Sequence, residues 1–399
     1  MDLPGRSTAV AGAPVGDPGP PRLGIRANLA QFSLLVLVNA LVGGTLGQER
    51  TVLPLLASQT FQLDGYALLL TYVAAFGLTK AGANFFAGTL SDQFGRRPVL
   101  LAGWIFAIPV PLILVWAPSW TWIVVANVLL GINQGLTWST TVIMKIDLAG
   151  PERRGLAMGL NEAAGYLAVA GTALATGYLA ARHGLRPAPF LLGASYVVLG
   201  LGLSALLVRE TREHARSETV APEHRAHRHR AAPTLTDRQV LVHTSLREPA
   251  LSAASQAGMV NNLNDGLAWG LLPVAFAAAG LSVAEIGILA AIYPAVWGLG
   301  QMVSGPLSDR WGRKAFVVAG MLVQAGALAL FAGGSGYALW LVAAVGAALS
   351  GVVADLWGTA AAIWVVAALT AGSGRVVAIR MYETNPPTPF TARTRVVGE

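Results

Sequence analysis

The chain contains no cysteine, which removes disulfides, thiolate metal sites and a cysteine nucleophile from consideration. Charge is almost as scarce. Only 12% of the 399 residues are Asp, Glu, Lys or Arg, against about 25% in an ordinary soluble chain. That shortage excludes a solvated globule of this length and favours a chain that lives in lipid. Histidine is sparse too, and its densest stretch, His224 to Arg230, alternates with arginine and has no carboxylate beside each ring. No metal is expected there, and no cofactor elsewhere. The apolar runs hold no Ser-His pair, paired carboxylates or ligand cluster, so an enzyme is not the expectation.

What is abundant is apolar sequence: 54% hydrophobic residues, with 46 glycines suited to close helix approach. The runs predict eleven membrane spans, near 29–57, 66–89, 98–116, 119–143, 155–181, 187–208, 254–279, 284–307, 315–333, 336–356 and 359–379. Residues 1–28 are rich in Pro and Gly without an apolar core, so they read as a disordered tail and not as a signal peptide. A polar linker occupies 209–250 between a first bundle, 29–208, and a second, 251–380, with a tail at 381–399.

The net charge of +7 and pI near 10.0 raise nucleic acid as a partner, and the distribution of charge excludes it. Arg96, Arg97, Lys145, Arg153, Arg154, Arg310, Arg313, Lys314 and the linker all fall on one side of the predicted spans. Loops on the other side carry no Lys or Arg, except Arg182 and Arg186. The positive-inside bias then places the basic side and the N-terminus in the cytoplasm.

One decapeptide occurs twice. Gly88-Thr-Leu-Ser-Asp-Gln-Phe-Gly-Arg-Arg97 returns as Gly305-Pro-Leu-Ser-Asp-Arg-Trp-Gly-Arg-Lys314, 217 positions later, with six residues identical. Leu53-Pro54 likewise matches Leu272-Pro273, and the exit Leu207-Val-Arg-Glu-Thr211 matches the stretch ending Glu383-Thr384. Repetition at half-chain distance, with each copy between apolar runs, points to a duplicated membrane bundle.

The pattern G-x-L-x-D-x-x-G-R-[RK] resembles the loop signature of the major facilitator superfamily, between its second and third and its eighth and ninth helices. The resemblance implies an all-α polytopic membrane protein of two pseudo-symmetric bundles, here with about 11 spans where the family has twelve. It further implies a secondary transporter that moves a small molecule by alternating access in the lipid bilayer, as a monomer in a bacterial inner membrane, with proton-coupled export as one form of it. Gly88, Asp92, Gly95, Arg96 and Arg97, with Gly305, Asp309, Gly312, Arg313 and Lys314, become the gating residues of such a protein. The half-to-half offset falls from 217 to about 174 near Gly351, as though part of two spans were missing around 340–356. A non-transporting relative of the same fold is therefore the alternative. Neither an Arg before Gln134-Gly135 nor a Gly-Pro ending to the fifth span is present, which argues against some drug/proton antiporter branches.

Ionisable residues within spans are costly and mark function. Glu49 and Arg50 stand in the first span, Lys80 in the second, and Glu162 in the fifth. Asn261, Asp265 and Trp269 in the seventh share a helical face by their i, i+4, i+8 spacing. Gln134 and Trp138 in the fourth complete the candidate solute and proton site. The competing readings are structural pairing for Glu49-Arg50 and snorkelling for Lys80.

Overall fold

The computed structural model describes residues 22–63, 68, 70–220, 236–266, 269–270, 272–333 and 359–383. Among these residues there are helices and turns but no strand, as backbone buried in hydrocarbon requires. Five stretches are long and apolar enough to cross a membrane: Leu29–Gln59, Arg96–Trp116, Arg154–His183, Ala188–Leu206 and Val283–Trp311.

In chain order, the first stretch divides into α1 (Leu29–Arg50) and α2 (Val52–Gln59). Pro54 explains the break, because its ring crowds the carbonyl four residues back and offers that carbonyl no N–H. α3 (Thr71–Phe94) follows, then α4 (Arg96–Ala107) and α5 (Pro109–Trp116), which Pro109 and Pro111 set apart. α6 (Trp120–Ala149), α7 (Arg154–His183) and α8 (Ala188–Leu206) complete the first half. Two short helices, α9 (Arg212–Val220) and α10 (Asp237–Val242), belong to the linker. The second half contains α11 (Pro249–Gly266), α12 (Leu272–Ala278), α13 (Val283–Trp311), α14 (Lys314–Gly333) and α15 (Thr359–Arg380). Ten of the eleven predicted spans contain one or two of these helices; the tenth, with the run Tyr337–Trp357, lies outside the described residues.

α6, at 30 residues, is nearly as long as the 31-residue first stretch, and its polar side chains face protein. Asn127, Asn133, Gln134, Thr137, Thr140, Thr141 and Lys145 are all buried. Lys145 is a correction to the sequence reading. α6 continues past residue 143 to Ala149, and Lys145 is enclosed near its end and is not a loop charge.

The halves meet most closely along α7 and α13, where glycines remove the side chains that would hold helices apart. A Cβ on Gly177 would lie 2.9 Å from the Cα of Gly287, and one on Gly305 would lie 2.7 Å from the Gly155 carbonyl oxygen. The largest buried apolar cluster spans the halves, with Leu53, Leu56, Tyr72 and Phe76 beside Trp269, Leu272, Ile286 and Tyr293.

α14 and α15 are antiparallel. Glu383, just past α15, meets the start of α14 at Arg313, while Gly374 packs against Met321 further along. The last helix therefore returns to the end of the bundle that carries both decapeptides.

The decapeptides are not loops. Gly88 to Phe94 forms the last two turns of α3, and Gly305 to Trp311 does the same for α13. Only Gly95 and Gly312 turn the chain, at φ of 97° and 91°, a conformation that L side chains resist.

Candidate functional site

Toward the end far from the decapeptides, a sealed polar cluster joins the halves. Glu49 and Arg50 are fully buried and, one residue apart on a helix, point in different directions. Glu49 is turned toward Asn127 of α6, with Arg50 as its charged neighbour. The guanidinium of Arg50 lies 4.3 Å from the Trp269 ring centroid and 5.2 Å from that of Phe76. The Tyr72 hydroxyl donates to the Trp269 carbonyl at 3.0 Å. Pro273 stands four residues beyond Trp269 and has no N–H to bond that carbonyl in a helix; Tyr72 supplies the missing donor.

Of the three residues expected on one face, Asn261 and Trp269 meet different partners. Trp269 lies beyond the end of α11 and turns to Arg50. Asn261 instead accepts from Gln324 of α14 at 3.4 Å, and the side chain of Asp265 lies outside the described residues.

Nearer the decapeptides lies a second, less enclosed cluster. The Lys80 ammonium is 5.5 Å from the Phe76 ring centroid and 5.5 Å from that of Trp138. Trp138 Nε1 donates to Glu162 Oε1 at 3.0 Å. Tyr166 stands edge-on to Trp138 with centroids 5.6 Å apart, and its ring also meets Trp297 of α13 at 5.5 Å. Trp297 continues through Tyr293, at 6.3 Å, to Trp269, at 6.2 Å. These contacts close a ring, because Arg50, Phe76 and Lys80 link Trp269 back to Trp138.

Behind this ring a buried relay runs through α1, α6 and α7. Lys145 Nζ donates to Asn161 Oδ1 at 2.6 Å, and Asn161 Nδ2 donates to Glu162 Oε1 at 2.7 Å. Asn39 Nδ2 donates to the Asn161 carbonyl at 2.8 Å, and Thr141 donates to Asn39 Oδ1 at 2.9 Å. Gln134 is not in the ring, contrary to expectation. It is fully buried against α1, donating to the Val42 carbonyl at 2.9 Å and to Thr45 Oγ1 at 3.0 Å. Sequence periodicity shows that a residue faces protein but not which neighbour it meets.

The two decapeptides share one device and differ in another. In the first, the backbone N–H groups of Arg96 and Arg97 each donate to Glu210 at 3.0 Å. In the second, those of Arg313 and Lys314 donate to Glu383 at 2.8 and 3.1 Å. A Cβ on Gly95 or Gly312 would run into the same carboxylates. Burial acts to raise the Glu210 carboxyl, but the backbone donors of Arg97, Arg96, Arg212 and Thr211 outweigh it and hold the group below its ordinary value. The paired exits were visible in the sequence, but their role at these turns was not.

The aspartates diverge. Asp309 accepts from the backbone N–H groups of Gly155 and Leu156, both at 3.2 Å, at the start of α7 in the other half. Arg313 approaches it at 3.7 Å. Asp92 instead pairs with Arg96 at 2.7 Å, and its side chain is 73% exposed. Arg96 also binds Asp147 of α6 at 3.0 Å, and Asp147 accepts from Thr211 at 2.8 Å. The first decapeptide is thus tied to its own half. Among the described residues no group of three or more His, Asp or Glu stands ready to hold a metal.

Comparison with known proteins agrees with this architecture. The family model of the Major Facilitator Superfamily matches residues 32–256 and 254–379. The chain belongs to the Major Facilitator Superfamily. It is an integral membrane protein with an all-α fold. A curated relative is the class C tetracycline resistance protein of Escherichia coli, 29% identical over 239 residues. That match covers 60% of this chain, and the chain spans 57% of the relative's length. Among solved structures, the human organic anion transporter MFSD10 (TETRAN) superposes with a TM-score of 0.58 at 15% identity, over 87% of this chain and 98% of that one. That likeness concerns the fold of this superfamily member alone.

Proposed function

We propose that this protein is a secondary active transporter that exports a small solute by alternating access, coupled to protons and working in a bacterial inner membrane. The observation that carries the reading is the buried Glu49–Arg50 pair, set at the helix break and in contact with Trp269 of the other half. A fully buried carboxyl beside a cation that bridges two bundles can join proton binding to their relative movement. The decapeptides serve as the gate at the cytoplasmic end, with Asp309 clasping α7 when that end is closed. Export follows the curated relative, whose name states resistance to tetracycline.

The test is solute flux in proteoliposomes under an imposed pH gradient. Wild-type protein should move solute only with the gradient, and Glu49→Gln should abolish that dependence while retaining exchange. Flux indifferent to the gradient would remove the coupling.

Exposed Asp92 favours one alternative, that the second half lacks parts of two spans and the protein no longer transports. Absence of any flux from a correctly inserted wild-type protein would support it.

A further inference from the structure

The less enclosed cluster has a composition that fits a particular kind of solute. We propose that Lys80, Trp138, Glu162, Tyr166 and Trp297 form the solute site, and that it selects a flat aromatic molecule with an anionic group at one end and an ammonium at the other. This rests on the transporter reading and adds the chemistry of what is carried.

The walls are aromatic and come from both halves. Trp138 and Tyr166 stand edge-on at 76°, and Tyr166 meets Trp297 of the second half at 44°. Such tilted rings present both faces and edges to a planar guest. Opposite charges lie on one indole: the Lys80 ammonium is 5.5 Å from the Trp138 centroid, while Glu162 holds its Nε1 hydrogen at 3.0 Å. An ammonium has three donors and a carboxylate about four acceptor positions, so each can take a ligand group beside its present partners.

Two further observations point to a guest. Trp297 Nε1 is a buried donor without an acceptor among the described residues, and a buried unsatisfied donor is costly. Lys80, Trp138, Glu162 and Trp297 are each half-buried, whereas Glu49, Arg50, Asn161 and Gln134 are sealed. Partial exposure, which the Glu49–Arg50 cluster lacks, therefore makes this cluster the one that a solute can reach. Since both charges come from the first half and the Trp297 wall from the second, a doubly charged aromatic makes its full set of contacts only when the halves stand together.

The test is equilibrium dialysis of purified full-length protein with 6-(aminomethyl)-2-naphthoic acid, its methyl ester and its N-acetyl derivative. The three share one aromatic body; the ester lacks the anionic group and the N-acetyl compound lacks the ammonium, each replaced by a small neutral cap. The zwitterion should bind about tenfold more tightly than either relative. Lys80→Gln should reduce the zwitterion to the affinity of the ester, and Glu162→Gln to that of the N-acetyl compound. Equal binding of all three, a preference for a singly charged compound, or no binding would overturn the proposal. The wild-type series decides even if a variant fails to fold. Binding without flux in proteoliposomes would count against transport and leave the site standing; flux that ignores charge would do the reverse.

Discussion

The Arg50 guanidinium lies 4.3 Å from the centroid of the Trp269 ring, and each residue stands four positions before a proline, Pro54 and Pro273. The two proline-marked positions are thus in contact across the halves. Proline frees a carbonyl at each, and at Trp269 the freed oxygen is taken by the Tyr72 hydroxyl at 3.0 Å.

Tyr72→Phe therefore leaves a buried carbonyl without a donor, at about 1–3 kcal/mol. Pro273→Ala restores an N–H that can reach the same oxygen. In a double-mutant cycle read by unfolding in detergent, the pair should lose less than the sum of the singles. Strict additivity would mean that the proline does not create the need for Tyr72.

Asp309→Asn and Asp92→Asn should differ although their motifs match. Asp309 faces the first N–H groups of α7, where a carboxylate contributes about 0.3–2 kcal/mol. Asp92 is 73% exposed and its ion pair is worth little, about 0–1 kcal/mol. Thermal melts of the two variants should separate in that order. A larger loss at Asp92 would reverse the assignment.

Glu210 gives a pH-dependent expectation. Its folded carboxyl is held below its ordinary value of 4.5, so its contribution is present above that value and lost as pH falls through the lowered one. Glu210→Gln should melt below wild type at neutral pH, and the gap should narrow as the pH drops below 4.5. A gap independent of pH would show that the charge of Glu210 is not what holds the turn.

The buried Lys145 depends on Asn161, its acceptor at 2.6 Å. Asn161→Ala should cost about 1–3 kcal/mol, since a buried polar group loses its acceptor. Asn161→Asp should recover much of it by supplying a carboxylate. Equal stability of the two variants would show that Lys145 finds another partner.

Much of the scaffold could be read from the sequence because its signals are local. Helices follow from apolar runs, and the paired prolines and decapeptides from repetition. The sites were less legible. Glu49, Arg50, Lys80, Trp138 and Glu162 stood out as polar residues in apolar runs, yet Tyr166 and Trp297 look like any aromatic in a span. Gln134 had the same signature as Trp138 and went to α1 instead, because helix rotation decides which neighbour a polar face meets. Glu210 was hidden differently. Its partners are backbone N–H groups at a glycine turn, and those have no letter in the sequence.

The two glutamates also sort the ties in this protein. Glu210 and Glu383 each fasten the last helix of a half to a turn within that half, so relative rotation of the halves leaves both knots tied. Asp309 at α7 and Arg50 on Trp269 are stretched by the same rotation. Any relative movement of the halves would spare the first pair and act on the second, like a hinged box whose corners are riveted and whose lids are only latched.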